Sequence, residues 1–397
     1  MRRYLLPSLL LLLSTTPLSA QPLVRVPGDA DLQQAFQRVS NGGVIELAPG
    51  VYPSPADGFR MRNLGKSFTV RSGPGGRAVL DGGGSRFILR MENTDPGKGG
   101  LVIFRELTFR DGFSDLEARA GGVTIQAGEA RFVACDFEGN VAAPATTGGG
   151  ALAVHTGSTV EVLGGAFSGN SSKNRGGAMS VRDSFATVAG VTFTGNRTNL
   201  AGHAANSAGG ALYVLDGVVH VSDSLFEGNR AGFVGGAVFV FGKWGEPLSV
   251  PRAEVHVTRS TFLDNRAEPH PCCPAPGATT GGALHAEDHA TLTVSSSRFE
   301  GNRARFGGAV DAFRALVEID GSVFRDNRDQ EPGGDPGLGG ALSAFSGDGA
   351  NDTVNRRPVG ITVTDSLFRG RDDGAPAAGT GGCLFAAGDT NRMYGNA

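Results

Sequence analysis

FEGNRAGFVGGAVFV, residues 226–240, carries both units of a repeat that runs through most of the 397-residue chain. The first unit is Phe-x-x-Asn. It recurs at Phe137–Asn140, Phe167–Asn170, Phe193–Asn196, Phe226–Asn229, Phe262–Asn265, Phe299–Asn302 and Phe324–Asn327, with decayed copies at Phe109 and Phe368. The second is Gly-Gly-Ala plus an apolar residue, with its alanine at Ala151, Ala178, Ala211, Ala237, Ala283, Ala309 and Ala341, and Cys383 in the eighth copy. The two units strictly alternate.

From each such alanine to the next phenylalanine the chain runs 16, 15, 15, 25, 16, 15 and 27 residues, a constant core with two insertions. Apolar residues alternate within it. Leu152/Val154, Met179/Val181, Leu212/Val214 and Val238/Val240 follow the glycines, and Val160/Val162, Val219/Val221, Val255/Val257, Leu292/Val294 and Val317/Ile319 stand seven and five residues before the Phe. A period of two predicts strands. Two or three short strands per unit of about 31 residues bury nothing alone, so the units must stack. A right-handed parallel β-helix satisfies this, with Phe as an internal ladder, Asn bonding the turns and its neighbours above and below, and Gly-Gly where one strand gives way to the next. Propeller blades need ~40 residues or more, which the constant core does not supply.

Composition agrees. The 63 glycines are roughly twice the ~7% globular share but keep no three-residue period, which excludes collagen. Apolar residues at 40% against 19% charged exclude disorder. Net charge is −3, and −5 once Arg2 and Arg3 leave with the leader described next, so nothing suggests a nucleic-acid partner.

Arg2-Arg3, the apolar run Leu5–Leu13 and the small residues up to Ala20 have the order of a secretory signal, with cleavage expected after Ala20. The run is too short for a permanent span, and Gln21 is not the Cys of a lipoprotein. Export places the protein in the periplasm, at the cell surface or outside the cell. Residues 21–60 read as an N-terminal cap and first coil, and 61–397 as the β-helix. Leu32, Ala35, Phe36 and Val39 form the apolar face of a capping helix stopped by Gly42-Gly43, with Val44–Leu47 opening the first coil. At the other end Met393-Tyr394-Gly395-Asn396-Ala397 looks like another repeat without a cap, which suggests a missing segment or a C-terminal partner.

The paired motifs resemble the repeats of the chlamydial polymorphic outer-membrane proteins over residues 109–397. Asn41–Tyr52 with Val79-Leu80-Asp81-Gly82 looks like the start of pectate-lyase-like β-helices. The chlamydial resemblance implies surface display and adhesion, although no autotransporter-barrel pattern appears in the sequence.

Residues two and four beyond each Gly-Gly-Ala should form outward columns. They place Tyr213, Phe239, Phe241 and Phe313 beside His285, Glu287 and Asp311, an expected exposed aromatic strip that would bind a glycan. The alternative is that this strip is covered and forms a second core. From each Asn to the next Gly-Gly the gaps alternate long and short, so loops emerge from every second coil. Trp244, in the Gly242–Arg252 insert, either stacks on a ligand or lids its coil. The leading function is therefore a surface or secreted glycan-binding or adhesion protein. The alternatives are a polysaccharide lyase or hydrolase, for which Asp311, Arg314 and Arg182 are the candidate catalytic residues, and a structural solenoid of a larger envelope protein. Asn93-Thr94-Asp95 lacks the companion motifs of a polygalacturonase.

Cofactor and metal motifs are lacking: there are no glycine-rich calcium nonapeptides, and neither Cys272-Cys273 with His270 nor His220 with His256 has a complete ligand spacing. Cys272 and Cys273 are left as a vicinal disulfide or an intermolecular link. Cys135 and Cys383 lie too many coils apart to pair.

Overall fold

The computed structural model describes residues 21–62, 65–93, 97, 99–143, 148–198, 207–242, 253–268, 279–329, 340–345, 360–369 and 384–387. Residues 1–20, Asp95, Trp244, Cys272, Cys273, Cys383 and the stretch from Met393 lie outside the described residues. Within them the chain is an all-β parallel β-helix with one helix at its N-terminal end. Its crossovers take the right-handed sense usual for parallel strands.

One coil shows the plan. Val238–Phe241, Glu254–Thr258, Thr261–Leu263 and Arg266–Ala267 are successive strands, and Leu284–Glu287 opens the next coil. Each strand pairs in parallel with its equivalent one coil away, so the sequence repeat becomes register: Val238 with Leu284, Val255 with Leu292, Phe262 with Phe299. Three sheets result among the described residues. One carries two strands per coil, one the strands after Gly-Gly-Ala, and one the two-residue strands after Asn.

The interior is what the periodicity predicts. Phe137, Phe167, Phe193, Phe226, Phe262, Phe299 and Phe324 are buried and stack face to face at 4.4–4.8 Å between centroids. Two polar ladders flank them. In the Asn ladder, the main-chain N–H and side-chain amide of Asn229 both donate to Asn265 Oδ1 at 3.0 Å. In the second, which the repeat pattern did not reveal, the N–H of Ser224 donates to Ser260 Oγ, that of Ser260 to Ser297 Oγ and that of Ser297 to Ser322 Oγ. Both satisfy donors at bends, where no strand neighbour is available.

The Gly-Gly pair has two separate reasons. Gly235 has φ +61°, and a Cβ on Gly236 would come within 2.0 Å of the carbonyl oxygen of Gly282 in the next coil. Conformation selects the first glycine and close approach the second.

The helix, α1, spans Leu32–Arg38, with Asp31 as N-cap accepting from the N–H of Gln34. Leu32, Ala35, Phe36 and Val39 are buried, and Phe36 meets Phe59 edge to face at 6.5 Å. The expected face therefore covers the end of the solenoid. The stack begins earlier than expected, however, because Leu23–Val26 pairs with Val44–Leu47 from the other side.

Candidate functional site

The site lies on the outer face of the sheet that follows Gly-Gly-Ala. Side chains two residues apart on a strand share a face, so His285 and Glu287 project together from Leu284–Glu287. Parallel register sets Phe239 on one side of His285, Asp311 on the other, and Ser343 beyond Asp311. The column thus passes from aromatic to charged along the axis.

Of the two readings the sequence offered, most of this column matches the covered second core and not the exposed strip. Tyr213 is 1% exposed, Phe239 5%, His285 2% and Asp311 0%. The cover comes from the residues just before each Gly-Gly, where Arg175, Ala208, Val234, Thr280 and Phe306 form a ladder of isolated parallel bridges. Ala208 and Val234 bury Tyr213 and Phe239 in a small second core, with Phe241 packed at its edge. Alternation in a strand tells which side a residue faces, and says nothing of whether another segment lies over that side. Of the expected strip, Phe241, Glu287 and Phe313 keep intermediate exposure.

Farther along the axis the cover opens into a cleft of about 340 Å³. Phe233, Phe306, Phe313 and Phe345 supply its rings, and His285, Glu287 and Asp311 its charged floor. Phe306 and Phe345 meet edge to face at 5.3 Å. Phe233, Phe306 and Thr280 were not among the candidates from sequence. Their signal is positional, a residue one or two places before Gly-Gly, where no alternating pattern marks it.

The charged floor is a row of three. His285 Nδ1 lies 2.8 Å from Asp311 Oδ2 and 2.8 Å from Thr280 Oγ1, and its Nε2 lies 3.3 Å from Glu287 Oε2. Ser343 Oγ donates to Asp311 Oδ1. Burial of the imidazole opposes its charge, and the hydrogen bonds and fields of Asp311 and Glu287 outweigh it, so the pKa is raised to about 9. Burial pushes the Glu287 carboxyl up, but His285⁺ and the nearby Arg314 together bring it below its ordinary value. At neutral pH the pair is therefore an imidazolium beside the Glu287 carboxylate. Glu287 is the member with side-chain access, 27% against 3% for His285 and 0% for Asp311.

The other candidates separate. Arg314 is in this neighbourhood, with Nη2 2.6 Å from Asp288 Oδ1 and its guanidinium over the Phe313 ring at 4.5 Å. Arg182 sits four strands back, roughly 19 Å away by strand spacing, paired with Asp183. Asp311 therefore lines the cleft, Arg314 lies behind its Phe313 ring, and Arg182 is left out of it. Asp311 itself is wholly buried, one coil along the axis from His285.

His220 and His256 stack at 4.8 Å on a different sheet, with His256 Nδ1 on Thr293 Oγ1. Among the described residues no group of three or more His, Cys, Asp or Glu is placed to hold a metal ion. The Cys135 thiol is buried and unbridged, and burial pushes its pKa up to about 12. No helix among the described residues is long and apolar enough to cross a membrane.

No protein-family model matches the chain, and no curated protein matches it. Among solved structures, pectate lyase Pel9A aligns over 94% of this chain and 80% of its own, at 12% identity and a TM-score of 0.40. Tailspike protein 3 of bacteriophage CBA120 aligns over 94% and 57%, at 12% identity and 0.45. The PL6 family alginate lyase AlyGC aligns over 89% and 53%, at 16% identity and 0.38. This chain spans little more than half the length of the last two. The likeness is one of β-helix fold alone, and the paired repeat motif finds no family model to place it among the chlamydial proteins.

Proposed function

We propose that the chain is an exported β-helix that acts on a polysaccharide, as a lyase or a glycoside hydrolase, through the cleft at Glu287. The observation that supports this most directly is the Asp311–His285–Glu287 row on the cleft floor. Taking paired charges out of water costs several kcal/mol per ion. A purely structural or adhesive solenoid has no need of such a row, and perturbed, coupled groups in a cleft are the usual mark of a reacting site. In this reading Asp311 orients and charges His285, and His285 keeps Glu287 ionised. Glu287 accepts a proton, from a ring carbon in an elimination or from water in a hydrolysis, and returns it to the departing glycosidic oxygen. The four phenylalanine rings would receive the C–H faces of a saccharide unit. Export is supported by the order of residues 1–20, and the surface-display resemblance of the repeats agrees with it.

The cleft rings favour a second reading, glycan binding without turnover, because they provide a stacking surface whether or not a bond is broken. One experiment separates the two. Residues 21–397 are incubated with polyuronates and neutral polysaccharides, recording unsaturated-product absorbance, reducing ends and retention in affinity gels. Turnover lost in Glu287→Gln with retention kept supports the enzyme. Retention without turnover leaves the binding protein, and neither leaves the structural solenoid.

A further inference from the structure

The two-residue strands after each Asn form a column of like charge. Parallel register aligns Val141, Ser171, Arg197, Arg230, Arg266, Arg303 and Arg328, so five successive coils present arginine at one position. Arg197 and Arg230 are exposed, and the other three half-buried. Successive positions are about 4.8 Å apart, the spacing of paired strands.

The fold does not ask for arginine here. Two coils earlier the same position takes Val141 and then Ser171 without loss of pairing. Stacked guanidinium groups repel one another, and Glu268, 3.8 Å from Arg230 and 3.5 Å from Arg266, offsets part of that charge. The column also runs alongside the cleft, one short step away in sequence. Phe233 and Phe306, two of its rings, lie three residues beyond Arg230 and Arg303, and Arg305 covers the Phe306 ring at 5.5 Å.

We propose that this arginine column is a docking track for a linear polyuronate lying along the solenoid axis, which would lead one of its units toward the cleft. A polyuronate carries one carboxylate per pyranose ring, and a ring advances its chain by about one strand spacing, so charge meets charge coil after coil. Arginine suits the task because its planar fork takes a carboxylate through two parallel hydrogen bonds, and its long arm follows a ligand that twists. Duplex nucleic acid carries one charge per ~1.7 Å of axis, far denser than the column, and the chain as a whole is negative. The choice of occupant rests on the polysaccharide reading of the cleft, whereas the track is separate from it.

The test is affinity electrophoresis of the full mature chain in gels containing polygalacturonate, its neutral methyl ester or polythymidylate, over a range of salt. Polygalacturonate should retain the protein and the methyl ester should not. The triple variant Arg197→Ser/Arg230→Ser/Arg266→Ser should bind at least about tenfold more weakly with a shallower salt slope, while the corresponding triple lysine variant keeps most of the retention. Circular dichroism melting checks that each variant is folded, and Ser171 shows that the position accepts serine. Glu287→Gln should be retained like the wild type, so turnover that persists in this variant sinks the cleft chemistry and spares the track. Equal retention of the wild type and the folded triple serine variant would overturn the proposal, as would equal retention by the methyl ester or tighter binding to polythymidylate.

Discussion

The side-chain amide of Asn229 donates to the main-chain carbonyl of Phe193, 36 residues earlier and one coil away, at 2.9 Å. The two residues belong to successive copies of Phe-x-x-Asn, so the motif is a fastening between coils. Asn196 holds Phe167, and Asn265 holds Phe226, by the same bond at the same distance. A lone copy would leave its Asn without this acceptor.

Removing one Asn therefore strands several groups. Asn229→Ala leaves Asn265 Oδ1 without one of its two donors, the Phe193 carbonyl without one, and both the N–H and the side-chain amide of Asn196 without their acceptor, Asn229 Oδ1. Each buried unsatisfied group costs about 1–3 kcal/mol. Urea unfolding should show a loss of at least about 3 kcal/mol, whereas Asn41→Ala near the N-terminal end, where the side chain accepts a single exposed bond from Ser67 N–H, should cost about 1 kcal/mol.

Two glycine substitutions should differ in size for reasons visible in the structure. Gly228 has φ +62° and open space where an alanine methyl would stand, so Gly228→Ala costs about 1 kcal/mol from backbone conformation alone. Gly236→Ala sets a methyl against the Gly282 carbonyl at 2.0 Å and Arg266 backbone at 2.6 Å. Coils must separate to admit it, so thermal melting should fall much further or the chain should fail to fold.

Tyr213→Ala should act on stability first. The ring is 1% exposed, 5.5 Å from Phe239, with the Arg175 guanidinium 5.2 Å from its centroid. Truncating a large buried aromatic costs about 3–5 kcal/mol. Melting temperature should drop clearly, while Phe185→Ala, at a ring 37% exposed, should move stability by no more than about 0.5 kcal/mol.

The His285 row makes stability depend on pH in a defined direction. Its folded pKa of about 9 lies above the ordinary 6.5, so its contribution is complete below about 6.5 and disappears as pH rises through about 9. Glu287 is shifted downward, so its contribution holds above its ordinary 4.5 and fades as pH falls through the lower folded value. The stability difference between wild type and His285→Gln should be widest between these ordinary values. Across the alkaline limb it should shrink by on the order of 3 kcal/mol, measured by denaturant unfolding at stepped pH. A flat difference would mean that the imidazole is not charged in the fold.

Residues that recur at a fixed interval could be read from the sequence, because stacking turns interval into contact. Phe226, Asn229 and the Val238/Val240 pair fall where the alternation put them. Ser224, Ser260, Ser297, Ser322 and Ser366 recur two residues before the Phe of the last five copies, but serine is common in turns and an apolar pattern passes over it. Whether the column is open or covered, the two readings the sequence offered, could not be settled by pattern because Ala208, Val234 and Phe306 approach from a segment with single bridges and no alternation. Glu287 and His285 were found as neighbours. That His285 bears a charge depended on Asp311 and Glu287 closing on both its nitrogens, a matter of distances.

Because each coil bonds only to the coil above and the coil below, its length along the axis is an inheritable variable. A gene that gains or loses one unit by unequal exchange keeps every remaining Phe, Asn and Ser opposite a matching partner. Natural selection could then extend or shorten such a molecule to the span of whatever it meets, with the cleft unaltered at its own level of the stack.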